Sequence, residues 1–344
     1  MTAPPPAPQD QTIVIYRLGS LGDTVVALPC FHRIVDSFPG ARRLVLTNRP
    51  VSSKAAPLEA ILGPGSFIDG VIEYPIRTRD PGELLRVAGA LRSTGADTLI
   101  YLGGGRGRLR VLRDVALFRA CGLRRIIGAP LSRDLEHPRL DAAGCEEPEA
   151  ERLARCLAPL GPIDLHARSA WDLRLTPEEL REGDAVLEPF GSGAFIAVNT
   201  GGKVAEKDWG EAAWAAMLTE LARRAPGLGL LFLGASDDSG RAERLATFWR
   251  GPSVNACGML SPRASAAALR RASAFVGHDS GPLHLAAAMG VRCIGLFGGY
   301  NRPRRWHPYG QGHHVFHELD GVSRIEPRAV ADAAGRMLQR EFAA

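Results

Sequence analysis

Apolar and polar positions fall in blocks along this chain, with short β-branched or leucine-rich runs separated by stretches of helical spacing. The first run, Thr12 to Tyr16, reads Thr-Ile-Val-Ile-Tyr with no polar alternation, which predicts a parallel strand covered on both faces. Leu44 to Thr47, Gly70 to Glu73 and Thr98 to Leu102 repeat the theme. Helical spacing runs over Thr24 to Phe38, where Pro29 predicts a kink, and over Gly82 to Arg92 and Leu109 to Cys121. From about Asp134 to Gly193 the pattern lapses into proline, glycine and charge, with one helix near Glu149 to Leu160. Trp171 to Pro177 reads as an exposed strand entering a helix, with Thr176 as its cap and Pro177 at its first position.

A second alternating run follows. Strands are predicted at Phe195 to Asn199, Gly229 to Leu233, Ala274 to Gly277 and Arg292 to Phe297. Helices are predicted at Glu211 to Arg224, Ser239 to Phe248, Ser265 to Ala272 and Pro282 to Met289, with a final one at Pro327 to Phe342. Alternation of this kind means βαβ units and parallel sheets, hence an α/β fold. The expected division is a disordered lead over 1–11, an N-terminal Rossmann-like domain over 12–175, a C-terminal one over 176–325, and a terminal helix over 326–344. Two doubly wound domains bind ligands at the carboxyl ends of their strands, and their cleft is expected there.

Composition narrows the function classes. The 344 residues suffice for two cores, and 45% apolar with 23% charged residues is a globular balance. A net charge of +5 without a long basic run or basic-aromatic stripe argues against nucleic acid and suits an anionic substrate. Met1 to Gln11 lacks the basic start and apolar core of a signal peptide. No apolar stretch approaches the roughly 18 residues that cross a bilayer, although a peripheral membrane role stays open. Six cysteines without a C-x-x-C pair read as reduced thiols of a cytoplasmic protein, not as a disulfide frame or zinc site.

Three loops that follow strands carry candidate chemistry. Arg17-Leu-Gly-Ser-Leu-Gly-Asp23 has neither the spacing of a dinucleotide fingerprint nor the Lys-Ser/Thr of a P-loop. Gly19 and Gly22, with Ser20 between, permit a tight turn, and Asp23 is either a general base for an acceptor hydroxyl or a helix cap. The two roles compete, because a carboxylate held by backbone N–H groups is a weaker base. Asn199-Thr-Gly-Gly-Lys-Val-Ala-Glu-Lys-Asp-Trp-Gly210 combines glycines, a hydroxyl and two lysines. It reads as a phosphate cradle of Thr200, Gly201, Lys203 and Lys207, or as a solvated loop. Gly277-His-Asp-Ser-Gly-Pro-Leu-His284 turns from a strand into a helix whose free N–H groups and dipole suit a diphosphate. Within it Asp279 is a site residue or a cap, and His284 a ligand contact or a packed helix histidine. Ser280 and His284 do not form a hydrolase, since the G-x-S-x-G elbow is absent.

Together these stretches resemble glycosyltransferase family 9, best known for lipopolysaccharide heptosyltransferases. The resemblance rests on Arg17 to Asp23, Lys207-Asp-Trp209, Leu233-Gly-Ala-Ser-Asp-Asp238, Asp279 to His284, Leu296-Phe-Gly298 and the stretch Tyr300 to Gly310, which ends in Pro308-Tyr-Gly310. It implies a GT-B architecture, two Rossmann-like domains facing a central cleft, and an inverting, metal-independent transfer without cofactor. It implies Asp23 as general base. Thr200, Lys207, Asp279, Ser280, Gly281 and His284 would contact the donor diphosphate, with Asp238 near the nucleoside or sugar. The implied donor is an ADP-linked heptose and the implied acceptor a glycan or lipid-linked core presented at the inner membrane surface. The loop Gly201-Gly-Lys-Val-Ala-Glu206 departs from the heptosyltransferase sequence, which leaves the donor sugar open. A sugar-nucleotide epimerase and a non-catalytic nucleotide-sugar binder are the competing readings of the same architecture. Arg106, Arg108, Arg110 and Arg113 form a basic cluster that either meets acceptor phosphates or is a solvated helix face.

Overall fold

The computed structural model describes residues 11–342 except 49–55, 64, 76–79, 105–106 and 203. Most of the proline-rich lead, together with Arg106 and Lys203, therefore lies outside the described residues. The chain forms two compact units that divide between Trp171 and Asp172.

The first unit is a five-stranded sheet in the order β3-β2-β1-β4-β5, every pairing parallel. Its strands are β1 (Thr12–Tyr16), β2 (Arg42–Thr47), β3 (Gly70–Glu73), β4 (Thr98–Tyr101) and β5 (Arg125–Ile127). Central β1 pairs Val14 with Leu44 on one side and with Leu99 on the other, and Ile13, Val14 and Ile15 are wholly buried. Each such side chain contributes about 1.5–3 kcal/mol, which is why this apolar run takes the middle of the sheet. Helices Pro81–Ser93 and Arg108–Ala120 pack on it.

The second unit is a six-stranded parallel sheet in the order β11-β10-β9-β6-β7-β8. Its strands are β6 (Phe195–Asn199), β7 (Gly229–Phe232), β8 (Ser253–Asn255), β9 (Ala274–His278), β10 (Cys293–Gly298) and β11 (His314–Glu318). The order reverses between β6 and β9, the switch point where such sheets bind ligands. Trp214 is fully buried and stands edge-on to Trp209, with ring centroids 5.2 Å apart. The terminal helix Pro327–Phe342 packs against Glu211–Arg224. Both units are Rossmann-like α/β layers.

The structure departs from the sequence expectations in several places. The expected kinked helix is two helices, Leu21–Val26 and Leu28–Ser37, and Pro29 sits in the first turn of the second, where its missing N–H costs nothing. Residues 172–176 form no strand: Leu173 is buried, and its carbonyl accepts from Arg263 Nη1 at 2.9 Å. Thr176 does cap the helix Pro177–Ala185, in a reciprocal box with Glu179. Strands β5, β8 and β11 were not anticipated. They are sheet edges whose half-exposed residues lack an apolar run. Among the described residues no helix is long and apolar enough to cross a membrane.

Candidate functional site

In the N-terminal unit, β1 delivers Arg17 to its carboxyl end and the next residues turn into the helix Leu21–Val26. Arg17 is buried; its Nη1 donates to the carbonyl of Leu102 at 2.8 Å and its Nη2 to the carbonyl of Asp23. One guanidinium thus ties the loop after β1 to the end of β4. Burial lowers the Arg17 pKa from its ordinary value, against the charges of Asp23 and Glu149. Beneath lies a buried ion pair, Arg152 Nη2 to Glu149 Oε1 at 2.6 Å, and Arg152 Nη2 also donates to the carbonyl of Gly103 at 3.0 Å. Sequence reasoning gave neither arginine a role. A buried arginine in a helix leaves no periodic trace that separates it from a solvated one.

Asp23 is the third residue of its helix. Its Oδ2 accepts from the Ser20 N–H at 2.8 Å and from Ser20 Oγ at 3.1 Å. Its Oδ1 has no hydrogen-bond partner among the described residues. The carboxylate therefore ties down the helix start through one oxygen alone, so a capping role does not exclude a second role for the other. Gly19 makes room: its φ is +148°, and a Cβ there would sit 2.5 Å from Asp23 Cβ. The Gly19 N–H donates to Asn48 Oδ1 at 2.9 Å, and Gly22 is buried in the helix.

In the C-terminal unit the loops after β6, β7, β9 and β10 come together. Lys207 Nζ lies 2.6 Å from Asp279 Oδ2, both side chains being largely buried. Asp279 is not the helix cap that one reading made it, because Ser280 holds that position. Ser280 Oγ donates instead to Asn199 Oδ1 at 3.1 Å, so among the described residues no side chain caps the helix Gly281–Ala288. Among the described residues its leading N–H groups and dipole therefore lack the usual side-chain acceptor. Thr200 is buried, and its carbonyl accepts from Arg241 Nη1 at 2.8 Å, while Arg241 Nη2 reaches Asp208 Oδ2 at 2.8 Å. Gly201 is required by a close approach, since a Cβ there would lie 2.2 Å from Asp238 Cγ. Asp238 in turn accepts from the Ala235 N–H at 2.9 Å, which closes the turn after β7 on itself and fixes the carboxylate that lies against Gly201. His284 is buried, with its ring edge-on to Trp306 at 6.2 Å.

His278, which sequence reasoning left without a role, fixes this arrangement. It is wholly buried at the end of β9, and the Trp209 N–H donates to its Nε2 at 3.0 Å. The ring proton therefore sits on Nδ1, 3.4 Å from the Gly201 carbonyl. Burial pushes its pKa down to about 4, so the neutral ring bridges both ends of the Thr200 to Trp209 loop to β9.

The sequence of residues 130–321 matches the family model of glycosyltransferase family 9 (heptosyltransferase). This chain belongs to glycosyltransferase family 9. The family 9 chain is similar in fold to the glycosyl transferase family 9 protein from Veillonella parvula, with a TM-score of 0.72 at 21% identity over 96% of this chain and 98% of that one. Heptosyltransferase WaaC from E. coli, solved with ADP, gives a TM-score of 0.64 at 19% identity over 95% of this chain and 100% of that one. The ADP-heptose lps heptosyltransferase II of E. coli gives 0.63 at 17% identity, covering 96% and 99%. No curated protein sequence matches this glycosyltransferase significantly. These likenesses identify its two Rossmann-like domains as those of the GT-B type.

Proposed function

We propose that this family 9 enzyme moves a heptose from an ADP-linked donor to a hydroxyl of a glycan or lipid-linked core, inverting the anomeric centre without a metal ion. The observation that carries the reading is the C-terminal switch point, where Lys207 and the uncapped start of Gly281–Ala288 converge beside Thr200 and Gly201. As the donor bond breaks, charge grows on the leaving diphosphate, and fixed N–H groups with a held ammonium stabilise it without rearranging. The Lys207–Asp279 pair is neutral by itself, so the helix start carries much of this task. Asp23 Oδ1 takes the proton of the acceptor hydroxyl as the hydroxyl oxygen attacks the anomeric carbon. A single displacement of this kind inverts the centre.

Support for a donor of this class comes from the neighbours, since WaaC was solved with ADP and its relative is named for ADP-heptose. On the acceptor side, Arg108 and Arg110 are exposed on the helix Arg108–Ala120 with Leu109, which is 83% exposed. A cationic and apolar face suits a phosphorylated, lipid-borne acceptor at the cytoplasmic surface of the membrane. The test is transfer from ADP-heptose to a lipopolysaccharide-core acceptor in EDTA, with the product anomer assigned by NMR. Product of inverted configuration is expected at an unchanged rate in the chelator; retention, or loss of activity restored by Mg²⁺, refutes the mechanism. The competing epimerase would instead interconvert the nucleotide sugar in the absence of any acceptor.

A further inference from the structure

We propose that Tyr300 and Asn301 are positioning residues for the donor diphosphate, acting through Lys207. The inference rests on the reading of Lys207 as a diphosphate contact. Neither residue belongs to the three loops singled out by sequence; both follow β10, in the exit Gly298-Gly-Tyr-Asn301.

The exit is held tightly. A Cβ at Gly299 would lie 2.3 Å from the Leu319 carbonyl oxygen, and one at Gly298 would lie 2.8 Å from the Val322 nitrogen. Only glycine lets β10 leave the sheet this close to the chain that follows β11. The backbone of Asn301 is anchored as well, its carbonyl 3.1 Å from His317 Nε2. From this fixed start the Asn301 amide donates to Asp279 Oδ2, the same oxygen that Lys207 holds. The ring of Tyr300 lies against the ammonium, with Lys207 Nζ 4.4 Å from its centroid.

A lysine has a long, freely rotating stem, and aiming its charge means removing that freedom. Here the ammonium is gripped between a carboxylate oxygen and the negative face of an aromatic ring, and the carboxylate is gripped by an amide. The burial pattern shows what the ring is for. Tyr300 is 58% exposed, so it fills no core, whereas the Lys207 side chain beneath it is only 17% exposed. The ring covers the Lys207 ammonium, and the π face alone is needed for that.

Calorimetry on the full chain, with ADP and in parallel with inorganic pyrophosphate, separates the possibilities. Tyr300→Leu is expected to weaken both probes about three- to ten-fold, Asn301→Ala to weaken both, and Tyr300→Phe to bind as the parent does. In a Lys207→Met background, Tyr300→Leu is expected to change affinity by less than about twofold, because the two side chains act as a unit. If Tyr300→Leu binds both probes like the parent, or loses the same factor with and without Lys207, the positioning role is overturned and the diphosphate site stands. If Lys207→Met itself binds both probes as tightly as the parent, or the parent binds neither, the diphosphate reading fails and the inference with it.

Discussion

Replacing Asp23 by asparagine separates the two tasks of one carboxylate. In the native loop Oδ2 accepts from the Ser20 N–H at 2.8 Å, and Oδ1 is the proposed base. An asparagine oxygen still accepts from Ser20, so the variant loses only the favourable charge at a helix N-terminus, about 0.3–1 kcal/mol. Alanine leaves the Ser20 N–H without its partner and is expected to cost about 1–2 kcal/mol more. For a unit of this size that means a fall of roughly 2–4 °C in Tm per kcal/mol. Catalysis responds in the other order. An amide takes no proton at neutral pH, and loss of a general base lowers turnover about 10²- to 10⁴-fold, or roughly 3–5 kcal/mol of barrier. ADP release from ADP-heptose with saturating acceptor measures the rate, differential scanning fluorimetry the stability, and calorimetry with ADP the donor site. Asp23→Asn is expected to melt near the parent, bind ADP like the parent and turn over at under one hundredth of its rate. Turnover within threefold of the parent refutes Asp23 as the base. An asparagine variant that melts as low as the alanine one refutes the division of labour between the two oxygens.

Three further outcomes are expected. Gly201→Ala puts a methyl 2.2 Å from Asp238 Cγ, so overpacking of about 1–3 kcal/mol and weaker ADP binding should follow; parental stability and affinity would show that the two turns are not locked together. His278 has its folded pKa pushed down to about 4 while the unfolded chain titrates near the ordinary 6.5, so between these values the unfolded state binds the extra proton. Stability is therefore full above about pH 6.5 and falls as pH drops toward 4, by up to about 1.4 kcal/mol per pH unit, and His278→Gln should flatten that part of the Tm profile. Arg152→Met breaks the buried ion pair with Glu149 at 2.6 Å, and urea denaturation should register a loss of about 3–5 kcal/mol; a loss under about 1 kcal/mol would mean that the pair does not hold the end of β4.

What the sequence made legible is what local chemistry dictates. Phe195–Asn199 and Glu211–Arg224 form as expected, because a fully buried parallel strand needs an unbroken apolar run and a helix on its face needs the 3.6-residue period. Thr176 and Pro177 mark a helix start in any context. The glycine-bounded loops at Arg17 to Asp23, Asn199 to Gly210 and Gly277 to Gly281 likewise announced turns after strands, and so the positions where a doubly wound sheet binds.

Tertiary structure alone decided how those loops are held and which charges meet. Lys207 and Asp279 are 72 positions apart, and their pairing follows from β6 and β9 lying side by side, a neighbour relation that no local pattern encodes. Tyr300 and Asn301 enter the site only because β10 flanks β9. Arg17, Arg152 and His278 read as ordinary polar residues along the chain, and burial is what turned them into braces. Patterns along a chain report what each residue can do with its neighbours in sequence; the strand order brings distant polar groups together out of water, where an unpaired one is costly, and that selects the partners.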